Sequence, residues 1–396
     1  MIKKFLSPYI TFYIFSIQFF IWIFFMPNSL NLELKKYGIS YKYISNVSIF
    51  RFIFFYLIFI FFIFIGTKIK FKSSKINFKY LNKYNNLLMT IWILVELISI
   101  KVILFNPIKC LRIFLDGKFY IVLNLIKSQI FFTETLVNIF PLILSISLFF
   151  YFSDYKKRSN FFKIIIIFLG TLINGIFLFK RMHFVYFFLI VIYFLIKNKK
   201  IKFFKTIKYL ILMLILLILG EMLRFGALYA ANKGENLLSV NIFIMVIYFL
   251  LIAYISSDFN NAMVIFDAES SYQLISTASP FFRKLLLEVT GKYIGYNTIK
   301  NWESGHGTVN SLALWWYDFG IFTPIVCLII GMIIGVVYSN SKRFKNKYSN
   351  IQIIAPIIFI GNFMLFRFNS FLLTIILIPI FFLTMYILFL NILIKK

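Results

Sequence analysis

Long apolar runs separated by short basic stretches dominate the chain. A membrane-crossing helix needs about 20 mostly apolar residues. On that template the candidates are residues 10–26, 47–65, 87–105, 133–152, 161–179, 183–196, 209–220, 312–338, 351–366 and 371–390. The pair 161–179 and 183–196 reads as a tight helical hairpin with Lys180 and Arg181 in its turn. The pair 351–366 and 371–390 reads as a second, turning at Arg367, Asn369 and Ser370. The first run lacks a small-residue cleavage site and is followed by Pro27, Asn28 and Ser29, so we read it as a retained helix.

The basic residues set a direction. Lys3 and Lys4 precede the first span, and Lys68, Lys70, Lys72, Lys75, Lys79 and Lys83 follow the second. Lys156, Lys157 and Arg158 follow the fourth. Lys197, Lys199, Lys200, Lys202, Lys205 and Lys208 follow the sixth. Lys342, Arg343, Lys345 and Lys347 follow the eighth, and Lys395 and Lys396 close the chain. Every cluster falls on the cytoplasmic side if the spans alternate with both termini inside.

The apolar run at 242–255 is the awkward piece. As a lone crossing it would put Lys342 to Lys347 and the terminal lysines outside, so it reads as a re-entrant or interfacial helix. A second crossing within 259–287 would also restore parity and give 11–12 spans, but that stretch carries Asp267, Glu269, Pro280, Arg283 and Lys284. The expected organisation is a seven-span bundle over 1–220, a large external region over 221–311, and a three-span bundle over 312–396. The expected fold class is all-α, a polytopic membrane bundle of about ten helices.

Composition agrees. The chain is 61% hydrophobic and 14% charged, against about a quarter charged in soluble domains. A soluble protein of this length has too little interior for that much apolar surface. The net charge of +29 comes from 42 Lys and Arg against 13 Asp and Glu. In a soluble chain it would suggest nucleic acid. Here the cations cluster at span ends, which orientation explains, so no nucleic-acid partner is expected. Cys110 and Cys327 lack metal or redox spacing, and neither a metal nor another cofactor is expected.

Few residues are left to carry chemistry. The two histidines, His183 and His306, both fall on the external side of this topology. His183 opens a helix, where a structural role is at least as natural as a chemical one. His306 lies in Asn301-Trp302-Glu303-Ser304-Gly305-His306-Gly307-Thr308. Its flanking glycines let backbone approach a ligand closely, and imidazole exchanges protons near neutral pH. Arg181, Arg224, Arg283 and Arg367 also lie on or near the external side, where orientation does not call for cations. Each either snorkels to lipid phosphate or joins others around an anionic substrate, since guanidinium binds phosphate in a bidentate way. Lys292, Tyr293 and Tyr296 lie near His306 in sequence. Tyr296, Trp302, Trp315, Trp316 and Tyr317 are either interfacial anchors or platforms for sugar rings. Glu96, Lys101 and Glu134 are polar residues in or near spans, costly unless satisfied within the bundle. Asp318 sits early in the eighth span, placed to hydrogen-bond an arginine or substrate.

The order of these features resembles the Wzy-type O-antigen and capsular polysaccharide polymerases, the oligosaccharide repeat unit polymerases. Three features carry the resemblance. One is the Lys180-Arg181 turn before a helix that ends in a lysine-rich loop. A second is the late external loop, in which Gly305-His306-Gly307-Thr308 leads into Leu312-Ala313-Leu314-Trp315-Trp316-Tyr317-Asp318-Phe319-Gly320. The third is the terminal hairpin with Phe366-Arg367-Phe368-Asn369-Ser370. The likeness covers nearly the whole layout but is diffuse in sequence, and O-antigen ligases share the plan. It implies a GT-C-like membrane glycosyltransferase that works at the external face of the inner membrane without metal. It would polymerise undecaprenyl-pyrophosphate-linked repeat units with inversion, with a chain-length regulator protein as a further partner. By resemblance His306 is the general base, and Arg181, Arg224, Arg367 and Lys292 hold pyrophosphate. Glu303, Trp302, Tyr296 and Asp318 bind sugar or support the site. Two alternatives stay open: a ligase that transfers glycan to lipid A-core, and a lipid-linked oligosaccharide flippase.

Overall fold

The computed structural model describes residues 6–25, 45–70, 78–101, 105–115, 139–152, 158–177, 182–198, 240–248, 254–268, 309–343, 349–365 and 379–386, with scattered positions within 208–222 and at 270 and 376. All the extended elements among these are helices. In chain order the main ones are α1 (Ile10–Phe25), α2 (Asn46–Lys68), α3 (Phe78–Ser99), α4 (Pro107–Leu115), α5 (Phe140–Phe152), α6 (Arg158–Phe177) and α7 (Met182–Lys197). They continue with α8 (Val240–Tyr248), α9 (Tyr254–Asp267), α10 (Ser311–Phe319), α11 (Thr323–Arg343) and α12 (Asn350–Met364).

The closest pairing joins α2 and α11, although some 270 residues separate them in sequence. Small residues allow it. A Cβ built on Gly66 would lie 2.6 Å from the Met332 carbonyl oxygen, and one on Gly331 would lie 3.0 Å from that of Phe59. A Cβ on Gly335 would overlap the Ile63 carbonyl oxygen. Glycine here lets two backbones meet, the packing that small-xxx-small spacing gives apolar helices. The Cys327 thiol lies 3.9 Å from the Phe55 carbonyl, and the Asn340 amide donates to the Ile69 carbonyl at 3.0 Å. The partners rise together along both helices, so α2 and α11 are parallel.

Similar pairs orient the rest. The Tyr56 hydroxyl donates to the Phe12 carbonyl at 2.8 Å while Phe15 meets Phe52, so α1 is antiparallel to α2. Asn85 bonds Ser147 at 3.2 Å and Trp92 lies against Phe140, so α3 is antiparallel to α5. Phe140 stacks on His183 and Phe152 on Phe194, so α5 and α7 are parallel. Tyr193 and Ser341 share one small cavity, which places the end of α7 beside the end of α11. The Gln352 amide donates to the Ser341 carbonyl at 3.2 Å, so α12 starts where α11 stops. One end of the bundle therefore collects Lys68, Lys70, Lys79, Lys83, Lys163, Lys197 and Lys342. We call it the lysine end and its opposite the far end.

The expected single span at 312–338 is two helices. Gly320 has φ 52°, a left-handed conformation open to glycine. The Thr323 hydroxyl reaches back to the carbonyls of Trp315 (3.2 Å) and Gly320 (2.6 Å). A continuous helix would hold Trp315 and Gly331 about 24 Å apart, yet both meet Phe59. So α10 runs outward from within the bundle, turns at Gly320–Phe322, and α11 returns beside it. Within the region expected to be external, α9 is a buried helix. Asp258, Phe259, Asn260, Met263 and Phe266 are enclosed, with Phe259 against Phe19, Trp22 and Phe52. The apolar run at 242–255 divides between α8 and the start of α9.

Among the described residues two stretches, Asn46–Lys68 and Ser311–Lys342, are long and apolar enough to cross a membrane, the second including the Gly320 turn. Ile10–Ile23, Phe140–Phe152, Ser159–Ile173, His183–Lys197 and Asn350–Met364 are shorter apolar helices. Polarity across the bundle is inverted relative to a soluble protein. Ile53, Leu57, Phe61 and Phe64 of α2 and Ile325, Ile329 and Ile333 of α11 face outward at helical spacing. Inside, Thr11, Asn85, Ser145, Ser147, Asn340 and Asn362 are buried. They bond to one another and to backbone, as in Ser145 to the Ile353 carbonyl (2.9 Å) and Asn362 to the Pro8 carbonyl (2.9 Å).

Candidate functional site

α10 begins inside the bundle, beside the end of α12, and reaches the far end at the Gly320–Phe322 turn. Asn310 is its N-cap: extended backbone lets the side-chain oxygen accept from the Ala313 N–H at 3.1 Å, which satisfies a donor that the first turn leaves free. The next N–H, of Ser311, donates to the Leu365 carbonyl at 2.8 Å, just past the end of α12. His306 is five residues before Ser311, and Arg367 is two residues after Leu365.

A second cluster sits where α9 ends. The Arg51 guanidinium donates to the Phe266 carbonyl and lies over the Trp316 ring, 4.5 Å from its centroid. The Trp316 indole N–H donates to the Ala268 carbonyl at 3.2 Å. The Asp267 carboxylate accepts from the Ser45 hydroxyl and from the Ser48 hydroxyl at 3.2 Å. Carbonyls at a helix C-terminus have no partner within the helix and carry partial negative charge. A cation and an indole N–H from neighbouring helices supply what α9 lacks.

Of the residues singled out in the sequence, Asp318 is in the described part. It is fully buried in the last turn of α10, so its interactions are with protein. Trp316, weighed as an anchor or sugar platform, instead lies under Arg51 and ties α10 to α9. His183 is buried and stacked on Phe140 with ring centroids 5.5 Å apart, a packing role. Glu96 is buried while Lys101 is exposed, so the two do not share an environment. His306, Arg181, Arg224, Arg367, Lys292, Glu303, Trp302, Tyr296 and Glu134 lie outside the described residues. Among the described residues no cluster of three His, Cys, Asp or Glu side chains is placed to hold a metal. Cys110 is buried, and burial pushes its thiol up from the usual value while Lys109 pulls the other way. A raised thiol is an unreactive one.

The sequence reading missed Arg51 and Asp267 as a unit. One signal was there: Arg51 is a lone cation in an apolar run, at the end remote from Lys68 to Lys83. An arginine in that position requires a partner inside the fold. No protein-family model, curated protein or solved structure matches the chain.

Proposed function

We propose that the chain is a multi-pass protein of the cytoplasmic membrane, with both termini and the lysine end inside and the far end outside. In this reading it polymerises undecaprenyl-pyrophosphate-linked repeat units into O-antigen or capsular polysaccharide. Two features support the membrane part. Apolar side chains cover the outside of the bundle, and the polar ones within its largely apolar core are hydrogen-bonded, an arrangement suited to lipid. Six helix directions also suit alternating crossings: α2, α5, α7 and α11 run one way, and α1 and α3 the other.

The observation that carries the enzymatic part is the Ser311–Leu365 bond. It joins Ser311, five residues after His306 in sequence, to Leu365, two residues before Arg367, and this nearness supports assigning proton transfer to His306 and pyrophosphate to Arg367. In the proposed reaction the acceptor hydroxyl loses its proton to His306 as its oxygen attacks the anomeric carbon of the donor glycan. The bond from that carbon to pyrophosphate breaks, and undecaprenyl pyrophosphate leaves with both electrons. Pyrophosphate is already a good leaving group, so the enzyme's contribution is alignment and charge stabilisation. Arginines supply the second, and opposite-face attack inverts the donor carbon.

The test is a null strain complemented with His306→Ala. The expected product carries one repeat unit and no ladder, at wild-type protein level. Normal chain length would refute the role of His306. The unsubstituted protein, purified and given lipid-linked repeat units without nucleotide, should form polymer.

A further inference from the structure

In sequence, residues 269–308 connect the end of α9 to the start of α10. The two feet of this segment are held differently. The returning foot is fixed by the Asn310 cap and by the Ser311–Leu365 bond. At the departing foot the carbonyls of Phe266 and Ala268 are gripped from other helices.

We infer that Arg51 is a positioning residue: it clamps the C-terminal end of α9 against α2 and α10 and so sets where the 269–308 segment departs. This rests on the proposed function for what the positioning serves, because that segment carries Lys292 and His306. The chemistry of the contact argues for arginine. Its planar guanidinium lies along the Trp316 ring and donates at its edge to the Phe266 carbonyl, two tasks a lysine ammonium does not combine. The arrangement is also mutual. Trp316 supports Arg51 with its face and holds Ala268 with its N–H, so each grips a neighbouring carbonyl of one foot. Ser45 and Ser48, at the start of α2, hold the intervening Asp267 by its side chain. Three consecutive residues, Phe266, Asp267 and Ala268, are thus pinned from two other helices.

The test reads the clamp without any activity. Ser45→Cys and Asp267→Cys are introduced together in the full chain, with Cys110 and Cys327 changed to alanine. The native pair meets through its side-chain oxygens, so the rate of disulfide closure under mild oxidant reports how often the held foot brings the two new thiols together. Adding Arg51→Ala should slow closure about tenfold, the scale expected for one lost charge-assisted hydrogen bond. Adding Trp316→Phe, which keeps the ring and removes the N–H, should slow it by a smaller factor. Closure at the unaltered rate with Arg51→Ala overturns the clamp. Should that variant fail to accumulate, Arg51→Lys decides by the same measure, with unchanged closure again overturning it.

Polymer length is the second readout. Arg51→Ala in the double-cysteine chain should shorten the ladder when the disulfide is reduced, and oxidation should restore it, which a general loss of stability would not allow. Slow closure with a full ladder overturns the positioning role. Absence of any ladder from the unsubstituted protein counts against the polymerase reading, and the closure rate still decides the clamp.

Discussion

Gly66, Gly331 and Gly335 show how a single hydrogen in place of a methyl group sets a helix pair. At Gly335 an added Cβ meets backbone, the Ile63 carbonyl, which moves only if α2 itself shifts. At Gly331 the nearest atom is 3.0 Å away, a contact that a few tenths of an ångström would relieve. Gly335→Ala should therefore destabilise the protein by about 1–3 kcal/mol, in the range of overpacked cores, and Gly331→Ala by less than about 1 kcal/mol. Thermal unfolding in detergent measures both. Equal midpoints for the two variants would mean that α2 and α11 are not in contact at this depth. The spacing of Gly331 and Gly335 is visible in the sequence, but Gly66 as the third member is not, since the contact spans most of the chain. Arg51 is hidden for a related reason: its partners, Phe266 and Trp316, come from two other segments, and only folding shows that its charge is occupied.

Helix direction was the most legible property of the elements. Lysine clusters after residues 65, 196 and 338 predict that those runs end on one side, and packing independently places Lys70, Lys197 and Lys342 at one end of the bundle. What hydropathy could not resolve is a turn inside an apolar stretch. Residues 312–338 read as one span because a single near-neutral glycine among apolar residues barely changes the average over the run, while its positive φ turns the chain. Residues 254–267 failed in the opposite sense. The stretch 259–287 reads as too polar to cross on account of Asp267, Glu269, Pro280, Arg283 and Lys284, yet its first part, with Asn260 and Asn261, belongs to a buried helix with Phe259 and Phe266. The parallel alignment of α2 and α11 makes a sharp prediction. Single cysteines at Lys70 and Lys345 should react with an impermeant maleimide only after the membrane is opened, and one at Ser270 should react before. Opposite behaviour of positions 70 and 345 would require an odd number of crossings between them and would contradict the alignment.

At the scale of the whole molecule, the argument turns on which side of the bundle is apolar. The outward faces of α2 and α11 carry Phe50, Leu57, Phe61, Ile325 and Ile329, each more than half exposed. Monomeric soluble proteins rarely expose contiguous apolar patches above a few hundred Å². A peripheral protein held by its +29 charge would behave differently from one inserted in lipid. Attraction between lysines and anionic headgroups is screened by salt and weakened as lysines lose their protons at high pH. Burial of apolar faces in hydrocarbon is affected by neither. Membranes bearing the protein, washed first with molar salt and then with alkaline carbonate, should therefore retain nearly all of it in the pellet, and detergent should release it. Release by salt alone would assign the membrane attachment to charge and would remove the basis for placing the far end outside. Retention through both washes would leave the apolar surface as the anchor and keep the assignment of the two ends to opposite sides of the membrane.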